Sequence, residues 1–88
     1  MANRVVHEFV SLPDAQGAFV FPADKVTRTT GSSVALQTTT RAVIVTTDTD
    51  TRAAFDASVG AGDIPLLAVI TNPPILVTPN AAKTIYFA

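Results

Sequence analysis

Apolar positions in this 88-residue chain come in short runs, separated at near-regular intervals by polar and turn-forming residues. Val, Ile, Thr and Phe dominate the runs, and their branched or flat side chains fit a pleated, half-buried surface. The pattern predicts strands over 3–11, 17–21, 24–28, 33–38, 41–47, 51–57, 65–71, 74–78 and 83–88. Turn signals fall between them, among them LPDAQG at 12–17, TTGSS at 29–33, GAGD at 60–63 and TNPP at 71–74. A turn every 8–12 residues or so, at roughly that spacing, belongs to an all-β sandwich or barrel. The expectation is a single domain over 1–88, an all-β chain folded as one small β-sandwich, jelly-roll-like. A short helix competes only in the alanine-rich stretch 52–61, where Gly60 and an adjoining turn oppose it.

Successive strand residues point to opposite sides, so alternation assigns faces. In 5–10, Val6, Glu8 and Val10 share one face and Val5, His7 and Phe9 the other. Ala53 and Phe55 are expected inside, opposite Arg52, Ala54 and Asp56, and Ile85 and Phe87 oppose Thr84 and Tyr86. AVIV at 42–45 and LLAVI at 66–70 do not alternate. A strand apolar on both faces lies between layers or beneath a partner, and a lone sandwich of this length is expected to have no third layer. Val43, Val45, Leu67 and Val69, with the N-terminal segment to Phe9, are therefore the candidate interface residues. Pro73 and Pro74 each remove a backbone donor, which predicts a sheet edge or a crossover for the segment that follows.

Composition strengthens the interface reading. Hydrophobic residues are 48% of the chain and charged ones 15%, against about 25% charged in an average soluble domain. A domain this small buries only roughly 60% of its unfolded surface, and small chains compensate with disulfides, metals or association. There is no cysteine, hence no disulfide and no thiolate site, and His7 alone makes no His-rich zinc set. Association remains, so a homo-oligomer is expected. The net charge is −1, and Arg4, Lys25, Arg28, Arg41, Arg52 and Lys83 are scattered. Nucleic-acid binding needs clustered cations to displace counterions, so it is not expected. The longest apolar run, IPLLAVI, is of strand length, far short of the ~20 residues of a membrane span. The N-terminal segment lacks an apolar run of signal length and meets Glu8 early, which predicts a protein made in a cytoplasm.

The stretch TTDTDTRAAF at 46–55 sets Asp48 and Asp50 one residue apart. As a calcium loop counted from Asp48 it fails at Arg52, Ala53 and Val59, where the template wants an oxygen ligand, glycine and glutamate. As an acid–base pair it would need a cleft that a short turn does not offer. As a turn it needs nothing more, because aspartate side chains bond the backbone two residues on. RAVIV and TRAAF on either side predict a hairpin 41–47/51–57 with its tip at 48–50. His7 is the sole His base, and no G-x-S-x-G surrounds Ser11, Ser32, Ser33 or Ser58. GAGD lacks the third glycine and the helix of a dinucleotide loop. Phe9, Phe19, Phe21, Phe55, Tyr86 and Phe87 fall at strand positions and are expected in the core. No catalytic, cofactor or metal site is expected, and the chain is read as a non-enzyme.

The second half, TTTRAVIVTTDTDTRAAFD…IPLLAVITNPPILVTPNAAKTIYFA, resembles small virion proteins of tailed bacteriophages. The matching pieces are a strand and turn over Arg41 to Asp50, an alanine/phenylalanine strand over Arg52 to Phe55, and a final strand over Lys83 to Phe87. NPPILVTP departs from the pattern through its prolines, and the first 40 residues carry no match. The resemblance implies a β-sandwich subunit of the virion, a head decoration or cement protein that binds the capsid lattice, with no catalytic residue. It implies the major capsid protein or other virion proteins as partners, and the virion, assembled in the host cytoplasm, as location. Lattice avidity would multiply a modest contact per copy. Two alternatives stay open: a head–tail joining, tail or fibre-base subunit, and a free carbohydrate-binding β module. The latter wants exposed aromatics, and the chain has no Trp and only Tyr86 as an amphipathic one.

Overall fold

In the computed structural model, residues 3–55, 64–77 and 83–88 are described. The β-branched runs form β1 (Arg4–Phe9), β2 (Lys25–Thr29), β3 (Ser33–Ala35), β4 (Ala42–Thr47), β5 (Thr51–Ala54), β6 (Ile64–Leu66), β7 (Ile75–Leu76) and β8 (Thr84–Phe87). They make two four-stranded sheets, in the orders β2-β1-β4-β7 and β3-β8-β5-β6, and no helix occurs among the described residues. The protein is an all-β sandwich.

The pairing has a simple origin. β2 pairs with β1, β3 with β8, β4 with β7 and β5 with β6, all antiparallel. These pairs are successive lengths of one two-stranded ribbon, and they fall alternately in the first and second sheets. Additional pairings of β1 with β4 and of β5 with β8 close each sheet. A ribbon rolled in this way is a jelly roll, with the strand that completes the first sheet standing first in the chain.

Alternation fills the space between the sheets. Val6, Val43, Val45 and Ile75 enter it from the first sheet, and Val34, Ala53, Leu66, Ile85 and Phe87 from the second. Fully burying an aliphatic side chain of this size is worth about 1.5–3 kcal/mol. The expected inward positions of Ala53, Ile85 and Phe87 hold, and Thr84 and Tyr86 take the other face.

The structure departs from the sequence pattern in three places. Residues 17–21 form no strand. The Asp14 carboxylate accepts the N–H groups of Gln16 and Ala18, each at 2.9 Å, and curls the run into a loop. Gly17 closes that turn at φ 80°, a conformation glycine adopts freely. The loop then supplies the third layer that a lone sandwich was expected to lack. Phe19 stacks on Phe9 at 3.7 Å between ring centroids, and the Gly17 backbone lies against Pro74. Ala42, on the same outer face as Phe9, is consequently fully buried.

The predicted hairpin 41–47/51–57 does not form either, because β4 and β5 belong to different sheets. Tight hairpins need residues that accept positive φ, typically Asn-Gly or Asp-Gly; Asp48-Thr49-Asp50 has no glycine and instead carries the chain, along an exposed path, from the first sheet to the second. The strand expected at 65–71 is only Ile64–Leu66, and the following residues cross back to the first sheet. The predicted helix alternative falls largely on residues 56–61, outside the described residues; the chain remains a strand through Ala54. The segment after Pro73 and Pro74 is both a crossover and an edge, as β7.

Candidate functional site

The aspartate turn is a fastening between segments. Asp48 accepts the main-chain N–H of Asn3 at 2.8 Å and its side-chain amide at 3.1 Å, while the Asp48 N–H donates to Asn3 O. The Asn3 N–H, the largest influence, holds the Asp48 carboxyl below its ordinary value of 3.8; desolvation opposes it, and the Asn3 side-chain amide adds a smaller lowering. Asp50 accepts the N–H of Ala68 at 2.8 Å. Thr47 Oγ1 donates to Thr49 O and accepts its N–H, which shapes the turn. The two carboxylates thus point to different parts of the chain. Among the described residues no group of three or more His, Asp or Glu could hold a metal ion.

The interior contains two ionisable side chains that alternation alone did not reveal, because both faces of β1 carry valine. Glu8 is fully buried, and its Oε1 accepts from Gln37 N–H and Thr40 Oγ1, each at 2.8 Å. Arg4, also buried, donates to Gly31 O and Ala88 O and lies over the Phe87 ring at 4.9 Å. These contacts tie the ends of β1 to the β2–β3 and β3–β4 connections and to Ala88, the residue after β8. His7 faces out of the first sheet between Val26 and Ile44, half-buried, whereas Ser33 lies in the second sheet. Ser58 lies outside the described residues.

The candidate interface residues separate into two groups. Val43 and Val45 are fully buried in the chain's own interior, and Phe9 is covered by Phe19. They are unavailable to a partner in the folded chain. Leu67 and Val69 are 51% and 90% exposed, in the crossing between β6 and β7. With Ile64 and Ile70, Leu67 lines an open apolar hollow of about 650 Å³. Pro65, Leu66, Pro73 and Pro74 supply much of the remaining wall, and no lining residue is charged.

The crossing is held by main-chain groups that a short β7 leaves over. β7 pairs only with Ala42 and Val43 of β4. Farther along β4, Val45 O accepts the Asn72 side-chain amide at 2.9 Å, and Thr47 O accepts Val69 N–H at 3.0 Å. Asn72, 2% exposed, also accepts Leu67 N–H at 2.9 Å and donates to Leu67 O at 3.2 Å. Reaching Thr47 places Val69 at φ 64°, in the left-handed region. For a β-branched residue this conformation is strained. The sequence marked TNPP as a turn but carried no sign that its asparagine would be buried as a splint.

Comparison with protein-family models, curated proteins and solved structures returns no match for the chain.

Proposed function

We propose that the chain is a non-enzymatic structural subunit that works by binding other protein chains, and that its setting is the one implied by the sequence resemblance, a decoration subunit on a tailed-phage capsid. The observation that carries the binding part is the uncharged apolar side around Leu67 and Ile70, half-exposed on a well-fastened crossing. A contiguous apolar surface left exposed on a folded chain is a candidate contact site. The apolar residues there stand on hydrogen-bonded backbone, so binding orders little further chain, and that ordering is a large part of the cost of association. Other virion proteins remain the second reading, since a tail or joining subunit would use the same kind of surface.

The test is particle association. Tailed-phage heads of the same source, stripped of their minor proteins, are mixed with the purified chain and pelleted. The chain is expected in the pellet, and Leu67→Asp in the supernatant with its fold intact. A wild-type chain that stays in the supernatant sinks the decoration reading. An unfolded Leu67→Asp chain would instead place that side chain among those the fold requires.

A further inference from the structure

The four sheet edges are not alike. β6 carries Pro65, β7 is two residues long behind Pro73 and Pro74, and β3 is three residues long. Proline and shortness are the usual protections of an edge. β2 is five residues long, has no proline, and pairs only with β1 among the described residues. Its direction of hydrogen bonding follows from its neighbours. Asp24 N–H reaches Glu8 O from the β2 side, and Arg41 N–H reaches Phe9 O from the β4 side. Alternation then turns the main-chain groups of Arg4, Val6 and Glu8 toward β2. Thr29 and Thr27, opposite Arg4 and Val6, bond inward to β1, so Val26 and Arg28 direct their N–H and C=O to the open edge.

We propose that this edge pairs with a second copy of the chain, β2 against β2 about a twofold axis at Thr27. In that register Val26 lies opposite Arg28 of the second copy, and each such pair exchanges both of its main-chain hydrogen bonds. Lys25 lies opposite Thr29 of the second copy, so no like charges stand directly opposed. Val26 is 42% exposed and shares the outer face with Val5, His7 and Ile44, so pairing joins the half-buried apolar bands of two copies. A strand that presents complementary groups to itself makes an isologous contact, which closes as a dimer. The second copy is favoured over a foreign strand because one register satisfies the free main-chain groups of both edges and sets no like charges directly opposite each other.

The experiment is sedimentation of the wild-type chain over a range of concentrations, beside Val26→Lys and the double variant Val26→Lys with Arg28→Glu. The wild type is expected to dimerise. Val26→Lys sets two cations opposite each other twice across the axis and is expected to raise the dissociation constant about tenfold or more. The double variant pairs Lys with Glu in the same places and is expected to restore the dimer. Amide exchange on the wild type provides an independent measurement: Val26 and Arg28 gain protection with concentration, while Thr27 is protected throughout. A wild type that stays monomeric overturns the proposal, including the case in which the edge captures a strand of another protein. A dimer indifferent to Val26→Lys overturns it too, and loss of that dimer in Leu67→Asp would assign the contact to the apolar hollow.

Discussion

Asn72 offers a sharp test of how the crossing is held. Its carboxamide accepts Leu67 N–H and donates to Val45 O and Leu67 O. Asn72→Ala removes these bonds at a site 2% exposed and strips the partner from the carbonyl of Val45, itself fully buried. A neutral hydrogen bond contributes about 1 kcal/mol net, and a buried group left without a partner costs about 1–3 kcal/mol. Allowing for partial relaxation toward water, the expected loss is about 3 kcal/mol. A chain of this length has roughly 4–13 kcal/mol in total, so the variant should be visibly less stable, with a melting temperature lower by about 12–24 °C. Asn72→Asp is the informative companion. It can still accept from Leu67 N–H, but it sets a carboxylate against the carbonyls of Val45 and Leu67. At neutral pH it should be at least as damaging as alanine. Urea unfolding checks both, with the midpoint moving and the slope unchanged. An alanine variant within about 0.5 kcal/mol of wild type, or an aspartate variant more stable than alanine, would refute the splint.

Val69→Gly should stabilise the chain by about 0.5–1 kcal/mol, because a left-handed residue with a Cβ costs roughly 1–2 kcal/mol and glycine's freer unfolded chain returns part of the gain. Its side chain is 90% exposed, so little burial is lost, and a lower urea midpoint would count against the strain. For Asp48 the folded carboxyl titrates below its ordinary 3.8. Its stabilising contribution is therefore present above that value and is lost as pH falls through the depressed folded value. Asp48→Asn should flatten that part of the acid limb in urea midpoints measured from pH 7 down to pH 2, and an unchanged limb would place the titration elsewhere.

Strand content was legible in the sequence to the extent that a local pattern carries it. Ile85 and Phe87 alternate with Thr84 and Tyr86, and the structure follows. Connectivity between sheets was not legible, because a turn's direction depends on what its side chains can reach. Asp48 and Asp50 look like any hairpin tip until Asn3 and Ala68 are placed beside them. The interior face of β1 was hidden for a related reason. Val6 and Glu8 are inside, and Val5, His7 and Phe9 are outside, yet the outer set reads as the more apolar. Phe19, ten residues along the chain from Phe9, resolves this by covering it. Part of the interface assignment fell on buried residues for two reasons: Val43 and Val45 point between the sheets, and Phe9, on the outer face, is covered by the chain's own loop.

What remains exposed is informative for that reason. The interior takes Val43 and Val45, the loop takes Phe9, and Leu67, Val69 and Ile70 are left outside. They stand where β4 offers free carbonyls and the chain has answered them with Val69 N–H and the Asn72 amide. A crossing that merely needed to return to the first sheet could have used polar side chains on a relaxed backbone. This one keeps a strained valine in solvent beside an uncharged hollow, with Asp50 fixing Ala68 next to it. Strain and exposed apolar area both oppose folding of the isolated chain. Their coincidence on one fastened segment fits the proposed contact surface, since a partner that covered Leu67 and Ile70 would recover the burial without first having to order the backbone.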